Sequence, residues 1–84
     1  KVIILDEPTS GLDKRSMHRV VDQLESMKRN HTIIIISHDY EFIRNIADRL
    51  FYLEAGSIKV NFYLDEDNVS QLNKTFEEME AFYE

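Results

Sequence analysis

Cysteine and tryptophan are absent from this 84-residue chain, proline occurs once as Pro8, and glycine only as Gly11 and Gly56. Without cysteine there is no disulfide and no thiolate metal site, which fits a reducing compartment. With only two glycines, forty-five residues apart, the chain has no glycine-rich loop of the Gly-x-x-x-x-Gly-Lys-Ser/Thr kind to wrap phosphates with backbone N–H groups. No apolar run approaches the roughly 20 residues of a membrane span, and no signal peptide is visible. Positive charge is also scarce. Ten Lys and Arg stand against sixteen Asp and Glu, for a formal net charge of −6, and the basic residues are scattered among the acids. That argues against a nucleic-acid partner, whose phosphates require clustered Lys and Arg. The pairs Lys14-Arg15 and Lys28-Arg29 are expected to be solvated helix ends.

The chain does hold alternating strand and helix patterns, the signature of an α/β layer. Val2-Ile3-Ile4-Leu5 is a short apolar run of the type buried on both faces of a parallel sheet, where ligands gather at the carboxyl ends of the strands. Asp6 and Glu7 fall at that end, and strand alternation should send them to opposite sides. Pro8 should hold Glu7 extended. Asp13 is placed to cap a helix over about 14–28, with Met17, Val20, Val21, Leu24 and Met27 on its buried face. Thr32–Ile36 forms the next strand. The strand-helix-strand spacing predicts parallel pairing with a right-handed crossover.

Asp39 should cap a second helix over about 40–48 with Phe42, Ile43, Ile46 and Ala47 inward. Segments 49–54 and 57–64 flank Ala55-Gly56 as a hairpin, its second strand alternating Ile58, Val60, Phe62 and Leu64 with polar residues. The remaining residues, 65–84, open with three acids suited to a helix N-terminus and carry Val69, Leu72, Phe76, Met79 and Tyr83 on one stripe. This tail is read as an acidic C-terminal helix that packs on its own sheet or on the missing half of the fold, with partner binding as the alternative.

The run Asp6-Glu7-Pro8-Thr9-Ser10-Gly11-Leu12-Asp13 resembles the Walker B and D-loop segment of the ATP-binding cassette family, and Ser37-His38-Asp39, at the end of the second apolar strand, resembles that family's switch-histidine motif. The segment 49–58 is similar to the strand-turn-strand that follows. The resemblance covers about residues 1–62 and implies a partial P-loop NTPase-like α/β sheet with parallel core strands, flanking helices and a C-terminal strand hairpin plus helix. It divides the chain into 1–64, the C-terminal part of a nucleotide-binding domain, and 65–84, the acidic helix. The family's P-loop and Leu-Ser-Gly-Gly-Gln signature segment are missing, so the chain is expected to be the C-terminal part of a longer cassette, cut or trimmed.

The resemblance also implies site roles. Asp6 would serve Mg²⁺, Glu7 would be the general base toward the attacking water, and His38 would contact the γ-phosphate and hold Glu7 and the water. Ser10 and Gly11 would shape the D-loop, with Ser10 and Asp13 counted toward nucleotide binding and Asp13 reaching a second cassette. ATP and Mg²⁺ are the implied ligands. The implied partners are a second cassette ATPase subunit and transmembrane transporter subunits, which would hold the protein in the cytoplasm at the inner face of the membrane. The form of the motifs is similar to energy-coupling importers. The alternatives are a soluble translation-factor-type cassette, against which Ser10-Gly11 counts, and a degenerate stand-alone interaction module. The chain alone is expected not to hydrolyse ATP.

Taken as a catalytic triad, Ser37, His38 and Asp39 fail, since adjacent residues cannot adopt the required spatial order. His18, expected on a polar helix face, and His31, expected in a loop, share no metal-ligand spacing with His38.

Overall fold

The computed structural model describes the backbone of residues 1–83 and the side chains of residues 1–79. The chain divides into two compact units, Lys1–Ile46 and Ala47–Glu84.

The first unit is β1 (Val2–Asp6), α1 (Lys14–Met27), β2 (Thr32–Ile36) and α2 (Tyr40–Ile46). β-branched residues make up all of β2 and the first three positions of β1, and the strands pair in parallel with Val2 opposite Thr32 and Asp6 opposite Ile36. α1 begins where Asp13, in extended backbone, accepts a 2.8 Å hydrogen bond from the Ser16 amide. This satisfies one of the amides left free at a helix start. Met17, Val21 and Leu24 of α1 bury together with Phe42 and Ile46 of α2, and Leu5, Val20, Met27, Ile33 and Ile35 pack against that cluster. Phe42 is completely buried.

One expectation fails here. The two strands are covered on one face only: Val2, Ile4, Ile34 and Ile36 are 61%, 65%, 48% and 54% exposed. The apolar runs were right for a doubly covered sheet, but two strands and two helices supply material for one side alone.

The second unit opens with the antiparallel hairpin β3 (Arg49–Glu54) and β4 (Ser57–Tyr63). Its two-residue turn sets Ala55 and Gly56 at φ of 52° and 81°, both positive as the right-handed twist of a hairpin demands. A register irregularity falls between Tyr52 and Leu53. Beyond it Ile58 lies outside, 58% exposed, while Val60, Phe62 and Leu64 stay partly buried. Leu50 and Tyr52 are buried. On the outer side Arg49 stands over the rings of Phe51 and Tyr63, at 4.8 Å and 4.9 Å.

Asp65 then accepts from the amides of Asp67 and Asn68 and starts a 3-10 turn, Glu66–Asn68, that runs into α3 (Val69–Tyr83). Leu72 is fully buried and Val69, Phe76 and Met79 partly so, as the stripe predicts. The Tyr83 side chain lies outside the described residues. Thr75 is buried as well, its hydroxyl donating to the Gln71 carbonyl at 2.8 Å.

Candidate functional site

The carboxyl ends of β1 and β2 lie side by side because the strands are parallel and in register, and each runs into a loop bearing a candidate residue. The ladder extends one residue past β1, the Glu7 amide donating to the Ile36 carbonyl at 2.7 Å. Glu7 is not extended, contrary to the expectation from Pro8. Its φ is +49°, in the left-handed region that a non-glycine residue enters only at a steric cost. The clash that a following proline imposes acts against the right-handed helical region, and leaves room for this alternative where the chain must turn at once. The turn is visible in the next bonds, Ser10 amide to Glu7 carbonyl at 3.2 Å and Leu12 amide to Thr9 carbonyl at 3.1 Å.

The Glu7 carboxylate meets the His38 ring, with 2.8 Å between Oε1 and Nδ1. Residues 31 positions apart are thus joined across the two strand ends. The His38 side chain is 78% exposed and that of Glu7 34%. A contact so open contributes only about 0–1 kcal/mol to stability, and its importance lies in where it puts the carboxylate.

Asp6, the last residue of β1, is exposed and by strand parity shares the open face with Val2 and Ile4. Ser10 and Gly11 are exposed in the loop, and Gly11 adopts φ of 77°. Asp13 is committed to its helix: the Ser16 amide, then the Ser16 hydroxyl, hold its carboxyl below the usual carboxylate range, against slight desolvation. The structure therefore joins Glu7 with His38; Ser10 meets the pair only through its amide, bonded to the Glu7 carbonyl, and Asp13 turns to Ser16 instead. His18 is exposed, and His31 faces the Met27 carbonyl at 3.2 Å where α1 ends.

Sequence reasoning passed over Thr9. It is only 5% exposed, and its hydroxyl donates to Asp39 Oδ2 at 3.1 Å. Asp39, read from sequence as a cap, does cap α2 through Oδ1 to the Phe42 amide at 3.3 Å, while its own amide donates to Ser37 Oγ at 3.0 Å. A threonine between proline and serine gives no local sign of burial; its partner comes from the loop that follows the neighbouring strand.

Two surface hollows accompany the first unit. A 530 Å³ hollow lined by Glu25, Ser26, Lys28 and Arg29 lies at the far end of α1 and contains none of the candidate residues. A 200 Å³ hollow lined by Leu12, Asp13, Lys14, Met17, Asp39 and Glu41 adjoins both loops. Among the described residues no three His, Cys, Asp or Glu side chains group to hold a metal ion. A Mg²⁺ that travels with nucleotide needs only one or two protein carboxylates beside phosphate oxygens. The single exposed Asp6 fits that demand. The sequence holds no Gly-x-x-x-x-Gly-Lys-Ser/Thr loop to wrap phosphate.

No family model matches the chain. It is similar to an ABC transporter ATP-binding protein of Treponema denticola, 46% identical over 66 residues, which is 77% of this chain and 13% of the relative. One from Pyrococcus abyssi is 37% identical over 60 residues, 70% of this chain and 23% of the relative. An energy-coupling factor transporter ATP-binding protein of Mycoplasmoides gallisepticum is 44% identical over 59 residues, 69% of this chain and 19% of the relative. The chain thus spans less than a quarter of the length of these curated relatives. With two acids closing one strand, a histidine closing its parallel neighbour, and relatives of this kind over most of its length, the chain is a segment of an ATP-binding cassette protein.

Proposed function

We propose that this chain is the part of a transporter's nucleotide-binding subunit that activates water for ATP hydrolysis. The 2.8 Å contact between Glu7 and His38 carries the reading. Transfer of a phosphoryl group to water is governed by positioning and electrostatics. One group must orient the attacking water and take up its proton while the bond to the leaving ADP oxygen breaks. Glu7 fills that role, its carboxylate fixed by His38 Nδ1. The other ring nitrogen of His38, Nε2, is left to face the γ-phosphate. With Nδ1 donating to Glu7, donation from Nε2 as well requires the imidazolium form, which carries a proton on both nitrogens. Asp6 would hold Mg²⁺, which when bound would supply charge neutralisation at the phosphates. Ser10 and Asp13 lie on the loop that, in this reading, meets a second cassette across bound nucleotide.

The remainder of the machinery belongs to other parts of the whole protein. In this reading a P-loop comes from another part of the whole protein, and a signature segment from a second cassette subunit. In this reading residues 1–64 form the C-terminal part of the nucleotide-binding domain and 65–84 an accessory acidic helix. The names of the relatives support a transporter, and that of the Mycoplasmoides protein an energy-coupling factor transporter; in this reading transmembrane subunits would hold the protein at the cytoplasmic face of the membrane. Among the described residues no helix is long and apolar enough to cross a membrane. The chain alone is expected not to turn over ATP.

The test is Glu7→Gln in the full-length protein, numbered as here. ATP binding should remain within about twofold while turnover falls by at least about 10²-fold, the scale on which general acid–base groups act. Turnover near wild type would remove Glu7 from the chemistry.

A further inference from the structure

We propose that Thr9 and Asp39 form a positioning clamp that sets the Glu7–His38 pair, a role that rests on the function proposed above. Thr9 lies two residues after Glu7, and Asp39 one residue after His38. Their 3.1 Å bond is therefore a second tie between the same two loops, parallel to the first. The two ties differ in setting. The Glu7–His38 pair is open to water, whereas Thr9 is 5% exposed and Asp39 is half-buried. A shielded bond keeps its geometry while the exposed pair exchanges partners with solvent and substrate.

One end of the clamp is rigid. Asp39 Oδ1 accepts from the Phe42 amide, its own amide donates to Ser37 Oγ, and its carbonyl accepts from the Ile43 amide at 3.0 Å. Oδ2 is the oxygen left for Thr9. Phe42, completely buried, anchors α2 in the core. The other end holds a strained residue. Glu7 at φ +49° keeps that conformation only where its surroundings over-determine it. The restraints are the bond from its amide to Ile36, the bond from the Ser10 amide to its carbonyl, and Thr9 fixed to Asp39. Release of Thr9 lets Glu7 relax toward the extended backbone favoured before proline, which takes its carboxylate away from His38.

Thr9 and Asp39 are thus positioning residues, and neither touches the reacting atoms in this reading. The experiment uses the full-length protein with three variants: Thr9→Val, which keeps shape and removes the donor; Thr9→Ser, which keeps the donor; and Glu7→Gln. A misplacement of about 1 Å can cost up to about 10²-fold in rate, so Thr9→Val is expected to lower kcat by about tenfold or more. The KM for MgATP and the melting temperature should stay near wild type, and Thr9→Ser should recover most of the rate. Thr9→Ala serves if the valine variant does not fold. Full kcat in the valine variant, equal loss in valine and serine, or a loss of kcat matched by a rise in KM and a fall in melting temperature would each overturn the clamp. If Glu7→Gln is inactive and Thr9→Val is not impaired, the clamp alone is wrong. If Glu7→Gln retains turnover, the site reading fails and the clamp falls with it.

Discussion

Ile4→Thr in the full-length protein tests whether the apolar face left open by this chain is an internal surface of the whole. Ile4 stands in the middle of β1 opposite Ile34 and is 65% exposed. Complete burial of an isoleucine side chain is worth about 1.5–3 kcal/mol, so roughly two-thirds of that, about 1–2 kcal/mol, remains to be gained when something covers the strand. Threonine forfeits most of this and adds a hydroxyl whose burial without a partner costs about 1–3 kcal/mol. The expected loss is therefore about 2–5 kcal/mol. The assay is equilibrium denaturation of the two proteins followed by circular dichroism: a lower midpoint at unchanged slope reports lost stability alone. A solvent-facing position would respond within about ±0.5 kcal/mol. A change that small would refute the argument, because Ile4 would then be as open in the whole protein as it is in this segment.

Phe42→Ala should cost about 3–5 kcal/mol in the same assay, since the side chain is wholly buried between α1 and the sheet-facing cluster and a cavity of that size does not collapse fully; a cost below about 1 kcal/mol would show that α2 is not seated as described. Asp13 gives a pH dependence whose sign follows from its lowered folded pKa, caused first by the Ser16 amide bond. Its contribution is present above the unfolded carboxylate value of about 3.9 and is lost as pH falls through the lower folded value. The stability difference between wild type and Asp13→Asn should thus be constant at neutral pH and close in strong acid. A difference unchanged at the acid end would mean that the carboxylate charge plays no part in the cap.

Much of this architecture is legible in sequence because it is locally encoded. Asp13 before an amphipathic run, Asp39 before another, and Ala55-Gly56 between two alternating segments each specify their element through nearest neighbours. The first two give bounds that match α1 closely and α2 to within two residues, the second helix ending at Ile46 where Asp48 turns its carbonyl to the Leu64 amide at 2.9 Å. What escapes a linear reading depends on distant partners. Glu7 turns left-handed because the loop must reverse within a few residues under constraint from Ile36 and Ser10. Thr9 is buried because Asp39, thirty positions away, accepts its hydroxyl. The irregularity after Tyr52, which moves Ile58 to the outer side, follows from pairing with β4 and has no signal in either strand alone.

The chemistry of the candidate site is fixed by strand register more than by loop sequence. Position 6 pairs with position 36, so Glu7 and Ser37 begin the two loops at the same height. The amide of Glu7 still bonds the carbonyl of Ile36. His38, one residue further along, then reaches the Glu7 carboxylate, and Asp39, two further, reaches Thr9. A slip of one residue between β1 and β2 would move every apolar side chain of the slipped strand to the opposite face. Ile33 and Ile35 would leave the cluster built on Met17, Leu24 and Phe42, and Ile34 would enter it. It would also separate both polar ties at once, since each depends on the same alignment. The hydrophobic core on the helical face therefore specifies the distance between the two loops. A segment of the cassette that has no phosphate loop of its own can still hold its carboxylate and imidazole together, because the apolar pattern of ten strand residues decides where those two side chains emerge.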